Sequence, residues 1–335
     1  MRLRGLIVCL GLALLLAVPA PAGGGAALVF VCNQDAATIS VIDTSSNDVV
    51  ATIPVAFAPA GIAADREGAT LYVTHPERGE ISVIDAAKRQ VVRSLKVGGT
   101  PFGITVSQDD TLFVSDWNNN TVTAIDPQSG KVLRKVVVGH SPAGIVSSPQ
   151  GALIIVANRE SNSVTILNAT TLGIAATIPV GRAPFALTVS PDGTRVYVAN
   201  VQSSNVSVIS TQTLNSIAMI EVGHMPYGLA TSIDGARLFV ASQSTGVVSL
   251  VDTSDFRILS REKVGRFPEG IVMTPDGHRA YVANWFSGDV SVLDTASGKE
   301  IKRIATGGGA RALAVASSSA RGGTVAPARS AEHHP

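Results

Sequence analysis

The chain has 335 residues, 45% of them hydrophobic and 15% charged, with a formal net charge of +1. That is ample apolar material for a large buried core, and near-neutrality argues against a strongly electrostatic binder of nucleic acid or membrane surfaces. With 4% aromatics, 32 glycines and 17 prolines, short Val/Ile/Thr runs punctuated by Gly, Pro, Asn and Asp take the place of long helical patterns, as in an all-β protein.

In chain order, the first element is a secretory signal over residues 1–22. Arg2 and Arg4 form its charged start, residues 5–18 an apolar run of 14, and Ala20-Pro21-Ala22 the small-residue cleavage region. Such a run is too short for a stable bilayer span, and no Leu-x-x-Cys lipidation pattern accompanies it. A periplasmic or secreted product without stable membrane insertion is expected. Loss of Arg2 and Arg4 takes the formal charge from +1 to −1. Cys9 lies in the signal, which leaves Cys32 with no internal disulfide partner. Other repeats carry Ala, Ser or Thr at its position, so it is expected to be a small buried strand residue.

Residues 23–316 are written as one repeat. The run Ser40-Val41-Ile42-Asp43 recurs as Ser82-Val83-Ile84-Asp85 and Ser291-Val292-Leu293-Asp294. Its central apolar position falls at Ile42, Ile84, Ile125, Leu167, Ile209, Val251 and Leu293, in steps of 42, 41, 42, 42, 42 and 42. Tyr72-Val73-Thr74-His75, Tyr197-Val198-Ala199-Asn200 and Tyr281-Val282-Ala283-Asn284 keep the same step, as does a Gly-x-x-Pro-x-Gly marker with prolines at 59, 101, 142, 184, 226 and 268. In the copy beginning at Pro184, residues 185–190 form a strand, Pro191-Asp192-Gly193 a turn, 195–200 the returning strand, and 205–209 and 217–222 two more. Four antiparallel strands per unit, repeated seven times, predict a seven-bladed β-propeller. Apolar residues at successive positions fit sheets covered on both faces. The 41-residue step places a one-residue deletion in the Gln108-Asp109-Asp110 hairpin. The strand at 28–32 is of the second type and that at 310–315 of the first, so the two ends are expected to share a blade and close the ring. Residues 317–335, rich in Ser, Ala, Gly and Pro, read as a disordered tail.

The motifs Tyr197-Val198-Ala199-Asn200, Ser82-Val83-Ile84-Asp85, Gly181-Arg182-Ala183-Pro184 and Ser190-Pro191-Asp192-Gly193 resemble those of the YVTN family of bacterial and archaeal seven-bladed propellers, across residues 28–315. The resemblance implies the fold, and an exported protein of the periplasm or cell surface, some members being encoded with quinoprotein or cytochrome systems. It also implies that the first strand of each unit lies nearest the axis, where Gly61, Gly103, Gly144, Gly228 and Gly270 would relieve crowding.

In such a blade the second-to-third loop and the blade-to-blade loop share one end, and the polar residues that vary between repeats fall there. Two positions before each proline stand Phe57, Gly99, His140, Arg182, His224 and Arg266. Trp117, Arg159 and Trp285 follow second strands, His75 and Asp116 end them, and Glu269 and Arg311 flank inner-strand starts. A mouth collecting His, Arg and Trp side chains suits an anionic or aromatic ligand; the competing reading is a set of solvated loop residues. The pair His140 and His224 has no visible third ligand, so no metal is expected, and His333 and His334 lie in the tail. Asp43, Asp85, Asp126, Asp252 and Asp294, with Asn168 and Ser210 at the same position, read as turn formers.

Haem-attachment, phosphate-loop and nucleophile-elbow motifs are absent. Asp126-Pro127-Gln128-Ser129-Gly130-Lys131 and Asp294-Thr295-Ala296-Ser297-Gly298-Lys299 look like part of a quinoprotein docking motif. Val132-Leu133 and Glu300-Ile301 stand where its tryptophan should follow, so no quinone or other cofactor is expected. These readings predict a monomeric, non-catalytic binding or scaffold propeller for a small anion, an envelope polymer or a partner protein. One alternative is a lactonase-like hydrolase, with Glu269, His140 or His224 converging with Arg on the axis. Another is single-stranded nucleic-acid binding through Trp117, Trp285 and the arginines, which neutral charge disfavours.

Overall fold

The computed structural model describes residues 27–317; the expected signal, and the tail beyond Ser317, lie outside them. The short apolar runs pair into seven four-stranded antiparallel sheets. Among the described residues the only helical element is one turn of 3-10 helix, Pro76–Arg78. Six blades are continuous in sequence, over residues 62–96, 101–137, 142–179, 184–221, 226–263 and 268–305. Blade one is composite: the C-terminal strand Ala310–Ser317 forms its inner edge, followed by Ala27–Asn33, Thr38–Asp43 and Asp48–Pro54. Val29 lies opposite Val315 and Phe30 opposite Ala314. The fold is the seven-bladed β-propeller that the repeat predicts, closed by the shared blade.

Burial explains why the strands lack simple alternation. The middle strands of a blade are covered on both faces, so Asn205–Ser210 is buried at every position but its last. Ile155 and Ile166 of blade four pack in one cluster with Val198 and Ile209 of blade five, and each blade interface repeats this arrangement. Outer strands such as Asn215–Glu221 face solvent at most positions. Cys32 is fully buried in the cluster between blades one and two, and burial pushes its thiol up to about 12, so it packs as a small apolar residue.

Three local devices hold the ring. At the axis, a Cβ on Gly228 would stand 1.7 Å from the Glu269 carbonyl oxygen of the next blade, and one on Gly103 2.3 Å from that of Ala143. Only a residue without a side chain allows backbones to approach so closely. In the third-to-fourth turns, Asp43 Oδ1 accepts the Ser45 N–H at 2.7 Å and Asp252 Oδ1 that of Ser254 at 2.8 Å. Asn168 does the same for Thr170 and Thr171, so these carboxylates are turn formers, as the sequence indicates. At the opposite end from the candidate mouth, Arg195 Nη1 donates to the Thr253 carbonyl at 2.6 Å and Arg237 Nη1 to that of Thr295 at 2.9 Å. Arg279 makes the same reach to Thr44, which carries the blade-to-blade latch across the closure.

The one-residue deletion is where the spacing puts it. The pair Val106 and Leu112 encloses five residues, whereas the pair Val189 and Val196 encloses six.

Candidate functional site

The second-to-third and blade-to-blade loops do share one end: Val97 N–H donates to the Gly79 carbonyl and Val180 N–H to that of Asn162, both at 3.0 Å. Just before the inner strand the chain makes a sharp turn. Ser141, Ala183, Met225 and Phe267 take φ of 50°, 52°, 55° and 60°, a left-handed conformation that costs a non-glycine residue about 1–2 kcal/mol. The turn has a positional consequence. The Met225 carbonyl accepts the Gln243 N–H and the Phe267 carbonyl the Trp285 N–H, each at 2.9 Å, while Gly309 accepts from Gln34 at 2.8 Å. The residue after each second strand is thereby fixed beside the residue that opens the inner strand. Together they build a two-tier mouth around the axis.

The inner tier is the position after the proline: Ala60, Phe102, Ala143, Phe185, Tyr227, Glu269 and, in the closing strand, Arg311. All but Ala143 line an axial cavity of about 250 Å³, whose walls are otherwise inner-strand glycines, alanines, isoleucines and leucines. Arg311 Nε lies 3.2 Å from Glu269 Oε2, Nη1 donates to Gln34 Oε1 at 3.0 Å, and Nη2 donates to the Tyr227 hydroxyl at 3.2 Å. Its guanidinium carbon sits 5.5 Å from the Phe102 ring centroid. Gln243 Nε2 donates to Glu269 Oε1 at 2.9 Å. The small Ala143 lets Phe102 and Phe185 meet edge to face at 5.6 Å; Phe185 also lies against Tyr227 at 4.1 Å, and Trp117 caps Phe102 at 5.0 Å. One side of the mouth is thus an aromatic wall and the other a buried ion pair.

Burial pushes the Glu269 carboxyl above its ordinary value, with Arg311 pulling the other way. Burial also raises the Tyr227 phenol far from titration. Burial works against the charge of Arg311, but the Glu269 carboxylate and Tyr227 outweigh it and keep the guanidinium protonated.

Of the residues singled out in the sequence, Glu269, Arg311, Trp117 and Arg159 come together, Arg159 lying 6.0 Å over the Trp117 ring while paired with Glu160. Trp285 sits on the blade-seven side, against Phe267 and Phe286. His140, Arg182, His224 and Arg266 are exposed on the outer rim and do not line the cavity. Arg182 Nη2 and Arg266 Nη2 donate to the Gln202 and Phe286 carbonyls of the neighbouring second-to-third loops, at 3.4 and 3.2 Å. The His–Glu convergence expected for a hydrolase is therefore not assembled.

His75 and Asp116 face into their blades. Four other repeats carry asparagine at this position, and Asn200 Nδ2 donates to Asn205 Oδ1 and Ser207 Oγ, both at 2.9 Å. His75 Nε2 meets Ser82 Oγ at 2.9 Å in the same place. Asp116 Oδ1 accepts the Thr100 and Asn119 N–H groups at 3.1 Å. Phe102, Phe185, Tyr227, Gln34 and Gln243 were not singled out by sequence. Among the described residues no group of three or more His, Cys, Asp or Glu is placed to hold a metal ion.

Fold and mouth together define a seven-bladed propeller with one asymmetric axial site. Residues 17–111 match a family model described as a YNCE-like beta-propeller, and residues 109–216 one described as lactonase, 7-bladed beta-propeller. No curated protein matches the chain. Among solved structures, hydrazine synthase of Kuenenia stuttgartiensis is similar at TM-score 0.73 and 22% identity, covering 85% of this chain and 99% of that one. A functionally unknown protein from Desulfotomaculum acetoxidans DSM 771 has TM-score 0.76 and 16% identity, over 86% and 98%. The dihydro-heme d1 dehydrogenase NirN in complex with DHE has TM-score 0.64 and 14% identity, over 87% and 75%. At these identities the likeness is one of fold.

Proposed function

We propose that the protein is an exported, non-catalytic binding propeller that takes up a small molecule in its axial mouth. The observation that carries this reading is the composition of the inner tier. At seven positions equivalent by repeat, two hold alanine, while the other five hold three aromatic rings and a buried ion pair around one cavity. Stability alone does not account for that choice. A buried ion pair pays a desolvation penalty that well-packed apolar residues avoid, and the alanines of blades two and four show that the ring tolerates small residues there. Convergent polar groups on a mostly apolar cavity are the usual form of a small-molecule site. The cavity favours a small molecule over an envelope polymer or a protein partner, and the outward-facing rim arginines do not converge on any one point.

Native mass spectrometry of the protein isolated from its producing cells' envelope tests the reading. A small-molecule adduct is expected in the wild type and in the Arg182→Ala, Arg266→Ala double variant, and is expected to be lost in Tyr227→Leu. An adduct that survives Tyr227→Leu but is lost with the rim arginines would place binding on the outer loops and overturn the axial reading.

A further inference from the structure

Nine buried side-chain polar atoms have no hydrogen-bond partner among the described residues. Seven are explained by the repeat: the Oδ1 atoms of Asn33, Asn158, Asn200 and Asn284, and the hydroxyls of Thr121, Ser242 and Ser249, all belong to the cross-strand position that ends each second strand or to its third-strand partners. The two that remain, Glu269 Oε2 and Trp285 Nε1, both belong to blade seven, beside the closing strand. Glu269 is 7% exposed and lines the axial cavity. Its Oε1 is taken by Gln243, whereas Oε2 has only the Coulombic neighbourhood of Arg311 Nε at 3.2 Å, without an aligned donor. A carboxylate oxygen can accept more than one donor, so Oε2, ion-paired with Arg311 but without an aligned hydrogen bond, can still take one from a ligand in the cavity.

The charges in the mouth narrow the class. Arg311 already has three partners, Glu269, Gln34 and Tyr227, and Arg159 is paired with Glu160. An anion would have to displace these contacts and lie against the Glu269 carboxylate. A cation would lie against two guanidinium groups. Phe102, Phe185 and Tyr227 line the cavity, with Trp117 packed behind Phe102, and such an aromatic wall suits a flat ring. A volume of about 250 Å³ falls just under the range of drug-sized pockets and admits one or two fused rings.

Resting on the reading of the mouth as a binding site, we infer that its ligand is a neutral, planar, one- or two-ring aromatic molecule that presents an N–H or O–H edge to Glu269 Oε2.

Indole and benzofuran test this directly, because they share shape and differ in carrying a ring N–H or a ring oxygen. Titration calorimetry on the wild-type protein is expected to show indole binding about tenfold or more tighter than benzofuran, the difference one hydrogen bond to a charged group supplies. Benzoate is expected to bind more weakly than indole. The chain contains two tryptophans, so the indole N–H signal of Trp117, assigned with Trp117→Phe, reports by NMR whether a probe occupies the mouth. In Glu269→Gln the amide oxygen stays with Gln243 Nε2 and the amide N–H₂ replaces the acceptor. The preference for indole should then fall to about twofold or less, an effect that loss of packing alone would not produce. Equal wild-type affinities for indole and benzofuran, or tighter binding of benzoate, would overturn the assignment of a donor-bearing neutral ring and leave the mouth a binding site. No shift of the Trp117 signal with any of the three probes would overturn both.

Discussion

The residue after each inner-strand proline decides what the propeller presents at its axis, and the residue after that, glycine in five of the seven repeats and alanine at Ala186 and Ala312, sets how closely the inner strands approach. Tyr227 and Gly228 stand side by side in these two roles. A methyl group on Gly228 would meet the Glu269 carbonyl oxygen at 1.7 Å, and backbone rather than a yielding side chain is what it would strike. Gly228→Ala is therefore expected to destabilise the fold by about 1–3 kcal/mol, the range for overpacking a tight interior. Gly308→Ala, where the nearest atom is Asp35 Cβ at 3.6 Å, should stay within about 0.5 kcal/mol. Urea denaturation midpoints of the two variants check this, and equal midpoints would mean that the inner strands can move apart. The axial glycines were legible because a glycine repeated at one position asks for a structural cause. Glu269 and Arg311 were legible as charges at the start of apolar strands. Phe102, Phe185 and Tyr227 were not, since an aromatic residue entering a strand has the same pattern whether it faces the next blade or the axis. The available signal was their variation against Ala60 and Ala143 at the same repeat position.

At the scale of the strand pair, one position does the same job with different chemistry in different blades. Asparagine ties the second strand to the third in blades one, four, five and seven, and His75 does so in blade two. The Phe57 carbonyl can only accept, so His75 Nδ1 carries the hydrogen and Nε2 accepts from the Ser82 hydroxyl. Burial holds the His75 pKa below its ordinary value of 6.5. The unfolded chain thus binds a proton more readily than the folded one. His75 contributes its full stability above about pH 6.5 and loses it progressively as pH falls toward its depressed folded value. His75→Asn should keep the tie and remove this component. Denaturation curves at pH 7.5 and pH 5 are expected to differ less for the variant than for the wild type, and an unchanged difference would show that His75 binds its proton equally well in the folded and unfolded states. The sequence placed His75 and Asp116 at the right end of the blade, but strand position alone does not say whether a terminal side chain turns into the sheet or out to the mouth. Their partners, Ser82 and Asn119, are what turn them inward.

At the scale of the whole ring, closure and site share a strand. Ala310–Ser317 completes blade one against Ala27–Asn33, and it also supplies Arg311 to the mouth. The architecture was readable from a single chain because the repeat states it seven times and the mismatched strand types at the two ends state the closure. The site is written once, in the departures from the repeat, and its assembly depends on contacts that span the chain, such as Arg311 with Gln34. This coupling predicts how the molecule fails. Ala314 is 7% exposed and pairs with Phe30; a proline there removes a ladder N–H and clashes within a strand that has no slack. Ala314→Pro should cost about 3 kcal/mol or more, broaden the single unfolding transition and abolish probe binding at Trp117 together. Ile301 offers the control. It lies on an outer strand, 54% exposed, at the register slip between Val292 and Leu293, so Ile301→Pro should cost clearly less and leave the mouth intact. Calorimetric unfolding with and without indole checks both variants: a ligand that binds only the closed ring raises the transition temperature, by an amount that grows with the logarithm of one plus the ratio of free ligand to Kd. That rise should be present in the wild type and Ile301→Pro and absent in Ala314→Pro. A rise preserved in Ala314→Pro would show that the mouth forms without the closing strand, and that Arg311 is dispensable to it.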